Sequence, residues 1–182
     1  MTFTKKTLLS LAAATIGVLS INAAVADSVV RVEKLHPSAN RSYKVAGKRY
    51  TPLTKVSYFS QTGKASWYGS QFHGRKTSSG ERYNMNALSA AHKTLPIPSY
   101  ARVTNMQNGK SVIVRVNDRG PFHGNRVIDV SKAAAQQLGF INQGTANVKV
   151  EQIIPGQTAA QTIITPNNKE FFVDLKSFGT ER

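Results

Sequence analysis

The strongest constraint on this chain is a two-residue period in short apolar runs. From Ser111 to Val116, Val112, Val114 and Val116 point one way while Ile113, Arg115 and Asn117 point the other, as a half-buried strand requires. Lys64 to Tyr68, Ala87 to Ala90, Tyr100 to Thr104, Val127 to Val130 and Ala146 to Ile153 read as further strands, separated by Gly, Pro and Asn. Asn108-Gly109 predicts a tight hairpin turn, because both residues tolerate positive φ. One helix is marked: Ser131 can cap its start, Ala133 to Leu138 favour it, and Gly139 can end it. Several short strands and one helix in about ninety residues predict a small β-barrel rather than a layered α/β domain.

The flanks have a different texture. Lys5 and Lys6 precede an uncharged, mostly apolar run from Leu8 to Ile21, and Ala24-Val25-Ala26 then offers small residues for cleavage before Asp27. This predicts a secretory signal peptide at residues 1–26, because the apolar run is shorter than the roughly 20 residues of a spanning helix. Residues 27–61 carry many basic and few large apolar residues and are expected to be a disordered basic linker. The barrel is expected over 62–154 and a sparse C-terminal tail over 155–182.

Charge and cysteine usage narrow the setting. The whole chain is +15, and losing Lys5 and Lys6 with the signal leaves +13, which calls for a polyanionic partner. For an exported chain that partner is cell-wall polymer or a lipid surface rather than nucleic acid. The absence of cysteine excludes disulfides, thiolate chemistry and lipid attachment at a signal-peptide cysteine. The expected location is the periplasm, without lipidation or a stable membrane anchor.

Three segments concentrate glycines, rings and charges: Gly63–Gly69, Phe72–Tyr83 and Val116–Phe122. Rings flanked by hydrogen-bonding groups suit sugars, whose faces stack while their hydroxyls need partners. Candidate sugar contacts are Trp67, Tyr68, Tyr83, Asn117, Arg119 and Phe122. Before Glu151 the barrel holds three acids, Glu81, Asp118 and Asp129. Asp118 can be an ordinary turn aspartate and Glu81 a solvated charge, yet their setting favours a carboxyl pair for proton transfer. Asp129, next to the helix start, reads as structural. His73, His92 and His123 lack metal-ligand spacing, and no metal or cofactor is expected. His92 can be a partner of a catalytic carboxyl or a satisfied core histidine.

These segments resemble the RlpA (rare lipoprotein A) family of septal lytic transglycosylases. The resemblance rests on Ala65-Ser-Trp-Tyr-Gly69, Phe72-His-Gly74, Thr77 with Ser79-Gly-Glu81, and Ala91-His92 with Leu95-Pro96. It continues through Val116-Asn-Asp-Arg-Gly-Pro-Phe122, Ile128-Asp-Val-Ser131, Ala133-Ala-Ala135 and Leu138-Gly139, covering about 63 to 154. It implies a mainly β fold, a six-stranded double-psi β-barrel with one or two short helices between flexible terminal segments. It also implies that Asp118 and Glu81 are catalytic and that His92 lies in the active-site groove. The implied reaction cuts the bond from N-acetylmuramic acid to N-acetylglucosamine, typically on peptide-stripped strands, and leaves a 1,6-anhydromuramyl end. The lipid-attachment cysteine that the family often has is missing, and the glycan-binding SPOR domain with which many members end is not expected in residues 156–182, which are too few for one.

The expected partner is the glycan strand of peptidoglycan, with cell-division proteins or amidases as further candidates and a monomeric chain. Two other readings are a non-catalytic wall-binding module of the expansin kind and a basic exported binder of nucleic acid or lipid.

Overall fold

The computed structural model describes residues 30–54 and 58–155. The expected signal peptide and nearly all of the expected tail lie outside the described residues. The elements run β1 (Tyr43–Val45), β2 (Lys48–Tyr50), β3 (Ser60–Tyr68), β4 (Ser89–His92), β5 (Ser99–Asn105), β6 (Ser111–Asp118), β7 (Arg126–Ser131), α1 (Lys132–Gln137) and β8 (Thr145–Ile153). A 3-10 turn, Ser70–Phe72, follows β3.

Six strands close into a barrel in the order β3-β7-β4-β6-β5-β8. Two pairs are parallel, β3 with β7 and β4 with β6, and the rest are antiparallel. Each corresponds to a run read from the sequence, so the fold is mainly β as expected. Val112, Val114 and Val116 are buried with Ala65, Val103, Ile128, Val130, Val148 and Val150. Removing each of these valines from water contributes about 1.5 kcal/mol or more. Small alanines at positions 65, 90 and 101 let the walls of so narrow a barrel meet.

Helix α1 begins where the Ser131 hydroxyl accepts a bond from the Ala134 N–H at 3.2 Å. It ends at Gly139, whose φ of +73° is the left-handed conformation expected of a terminating glycine. The Asn108 and Asn105 side-chain amides each donate to the Leu138 carbonyl at 3.0 Å, tying the predicted hairpin turn to the helix end.

The segment expected to be a disordered linker needs correction over residues 30–54. It contains the β1–β2 hairpin and lies on the barrel. The His36 N–H donates to Ile97 O at 2.8 Å, and the Asn40 amide exchanges bonds with Ile97 through its carbonyl and N–H. Tyr43 and Tyr50 stack on each other and pack against Phe122. Low hydrophobicity suggested disorder, but polar backbone anchors and three rings hold the segment instead.

Candidate active site

Everything chemical gathers at the C-terminal end of β6. Pleating sends Arg115 and Asn117 to the same face, and Asp118 ends the strand. Tyr100 of β5 stands directly across from Arg115. The loop from Thr77 to Glu81 docks on this end. Gly80, at φ +81°, permits a turn in which its N–H reaches Thr77 O at 2.9 Å. The Ser79 N–H donates to Asn117 O, and the Thr77 and Ser79 hydroxyls bond each other at 2.9 Å.

That loop brings the two candidate acids into one region. Asp118 Oδ1 accepts from the Ser78 N–H at 2.8 Å, the Ser78 hydroxyl at 2.7 Å and the Arg119 N–H at 2.8 Å. Its Oδ2 accepts no bond among the described residues. Three positions along the loop, Glu81 receives the Arg115 guanidinium as a fork, Nη1 to Oε2 at 2.7 Å and Nη2 to Oε1 at 2.9 Å. The Asn117 amide adds a third bond at 3.0 Å. The Arg115 guanidinium therefore holds the Glu81 carboxyl below its usual range, with the Asn117 amide helping and partial burial opposing.

Two open cavities flank Glu81 and Arg115. One, ≈ 350 Å³, is lined by Arg31, Arg82, Asn84, Tyr100 and Asn117 among others. The other, ≈ 380 Å³, lies against Glu33 to Pro37, Ser79 and Pro98. Asp118 lines neither.

The remaining sequence candidates divide. Asn117 belongs to the site through its bond to Glu81. The Tyr68 and Tyr83 rings lie 4.1 Å apart, but Tyr83 is buried and its hydroxyl donates to Tyr68 O at 2.6 Å. Burial pushes the Tyr83 phenol up to about 12. Trp67 packs against the core and its indole N–H donates to Ile141 O. Phe122 faces Tyr43 and Tyr50 rather than either acid.

Two expectations are corrected. His92 is 2% exposed and so does not line a groove. Its Nδ1 accepts from the Thr94 and Leu95 N–H groups, which puts its proton on Nε2, 3.1 Å from Gln61 Oε1. Burial, with help from Arg119 and Lys93, pushes the ring down to about 3, so it is neutral and structural near pH 7. Arg119 turns away from the cleft. Its guanidinium donates to Ala39 O, His92 O, Leu95 O and Asn40 Oδ1, leaving little capacity for a sugar. Asp129 is structural as expected, though through Ser66 at 2.6 Å and an ion pair with Arg126 as well as its place near the helix start.

Sequence reading missed Arg115, Ser78 and Glu33. Arg115 was visible as the charged residue on the polar face of β6, and Ser78 sits inside a dense motif. Glu33 was hidden because its segment read as disordered.

A closed six-stranded barrel with two parallel pairs and a carboxyl-bearing loop on one strand end defines the double-psi β-barrel class. The family model described as "Lytic transglycolase" matches residues 60–150, half of the chain. Two proteins of Neisseria meningitidis, from serogroups A and B, are each called "Endolytic peptidoglycan transglycosylase RlpA". Both are 72% identical over 181 residues, spanning 100% of this chain and 74% of their own length. A protein of the same name from Pseudomonas aeruginosa is 59% identical over 119 residues, 65% of this chain and 35% of that protein. The chain belongs to the RlpA family. Among solved structures, an expansin of Clavibacter michiganensis aligns over 53% of this chain and 51% of its own at 18% identity, with a TM-score of 0.40, too loose a likeness to argue from.

Proposed function

We propose that this chain is an endolytic peptidoglycan transglycosylase, cutting N-acetylmuramyl–N-acetylglucosamine bonds and leaving a 1,6-anhydromuramyl end on peptide-stripped strands. The observation carrying this reading is that one loop, Ser78 to Glu81, holds both acids at the end of β6. The names of the relatives support the substrate class. In the reaction, Asp118 protonates the leaving oxygen of the glucosamine as its bond to the muramyl C1 breaks. Glu81, kept anionic by Arg115, is a poor base and a fixed negative charge for the oxocarbenium-like carbon. The muramyl C6 hydroxyl closes on C1 and gives its proton to the Asp118 carboxylate, which returns to its starting state. The nucleophile is intramolecular, so proximity replaces a positioned water.

The site residues proposed here are Asp118 and Glu81 as catalytic groups, with Asn117 and the cavities beside Glu81 for the sugar. The catalytic domain would be residues 62–154, exported to the periplasm behind a signal peptide at 1–26. Glycan strands would be its partner, and division-site proteins or amidases remain candidates to test by pull-down. Mass spectrometry of products from peptide-stripped peptidoglycan is the test, because an anhydro end is one water lighter than a hydrolysed one. Asp118→Asn is expected to lower the rate of anhydro-end formation by about 100-fold or more with the melting temperature little changed. A variant as active as wild type removes Asp118 from the mechanism. Tight binding without product from the wild type would make the chain a wall-binding module.

A further inference from the structure

Arg115 carries two carboxylates at once. Its Nη1–Nη2 edge holds Glu81, while its Nε–Nη2 edge donates to Glu33 Oε1 and Oε2, both at 2.8 Å. Glu33 comes from the leading segment, outside the stretch that the family model matches. It is itself fixed: the Tyr100 hydroxyl donates to its Oε1 at 2.5 Å, and Arg31 approaches at 3.9 Å. The chain just beyond it is pinned by His36 and Asn40 to Ile97. The Glu33 side chain is 18% exposed, against 43% for Glu81, and both line the second of the two cavities.

We propose that Glu33 is a positioning residue of this active site, fixing the Arg115 guanidinium so that Arg115 in turn fixes Glu81. The inference rests on the role given to Glu81 above. An arginine held on one edge keeps much of its rotational freedom, whereas forks on two edges leave its plane no swing. A second consequence is electrostatic. Arg115 and Glu81 alone would form a neutral pair and offer a sugar cation little. With Glu33 sharing the guanidinium, the trio carries a net negative charge that the solvent-exposed, more distant Arg31 offsets only in part, and Glu81 keeps its attraction for positive charge developing at C1. The barrel matched by the family model is then short of one member of its own site, and the segment from Glu33 to Asn40 belongs to the working unit.

The groups facing the Glu81 carboxylate are Arg115 and Asn117 from β6 and Glu33 from the leading segment, with Arg31 and Arg82 lining the adjoining cavity. Glu33 raises the proton affinity of Glu81 through its charge, so removing that charge moves the Glu81 titration midpoint down. The test uses the full chain carrying Glu33→Gln or Glu33→Asp. The midpoint of Glu81 is read by carbon-13 NMR of its carboxyl, assigned with Glu81→Gln. Glu33→Gln is expected to lower the midpoint measurably, and Glu33→Asp, which keeps the charge at shorter reach, to lower it less. On peptide-stripped glycan, Glu33→Gln should reduce kcat about tenfold with KM within about twofold. An unchanged Glu81 midpoint in both variants, or in Glu33→Asp alone if the other does not fold, overturns the proposal whatever the activity. A shifted midpoint together with no anhydro product from the wild type would instead retain the Glu33 to Glu81 coupling and overturn both the enzymatic reading and its catalytic consequence.

Discussion

Arg115 and Arg119 sit four residues apart at the same barrel end, and the difference between them separates a site from a scaffold. Arg115 meets two carboxylates beside open cavities. Arg119 meets three backbone carbonyls and an asparagine oxygen. Carbonyl partners neutralise nothing and close backbone hydrogen bonds, so Arg119 welds the 92–95 turn to the leading segment. Carboxylate partners fix charge beside open cavities, where the proposed sugar substrate would feel it. Hydrogen-bond saturation alone is therefore no sign of function; the charge of the acceptors and their access to solvent decide.

The comparison breaks first at Arg119. Arg119→Ala should cost about 3 to 5 kcal/mol of folding stability, because several buried carbonyls lose their partner. Below the melting transition its turnover per folded molecule should stay close to wild type, since the Arg119 N–H still serves Asp118. Denaturant titration and anhydro-end assays check both halves. Arg115→Ala should do the opposite, lowering turnover about 30-fold while costing about 1 kcal/mol of stability. If both variants fail in the same way, the distinction between the two arginines is wrong.

Acid titration sharpens the same contrast. With His92 near 3 in the folded chain against 6.5 unfolded, the unfolded state binds a proton here that the folded state refuses. Stability is therefore fully present above about pH 6.5 and lost as pH falls toward 3. Glu33, near 2 folded against 4.5 unfolded because of Arg115, extends the loss from pH 4.5 downward. Melting curves across this range should show the fall, and Glu33→Gln should flatten its acid end. The smallest effect is reserved for Phe122→Leu, expected to cost about 1 kcal/mol through the rings of Tyr43 and Tyr50 while leaving KM unchanged. A raised KM would return Phe122 to the sugar site.

The barrel was legible because its signals are local. Val112, Val114 and Val116 declare a strand by alternation, and Ser131 with Gly139 brackets the helix without help from distant residues. Asp118 and Glu81 stood out because acids are scarce and both sit in glycine-rich turns. What stayed hidden depends on pairings across the fold. His92 and Arg119 carry the same residue types in either role, and their partners, Thr94 and Leu95 for one and Ala39 for the other, are chosen by the closed barrel. Glu33 lies 82 positions from Arg115 along the chain, and no periodicity links them.

Ring closure of the six strands has a consequence for recognition. Each barrel strand already has a neighbour on both sides, so among the described residues the two-stranded hairpin alone keeps a free edge. A ligand therefore cannot dock by adding itself to the barrel as an extra ribbon. Whatever the barrel holds is gripped by side chains and turn tips at the mouth of the ring, a mode open to a polymer with no amide ladder of its own.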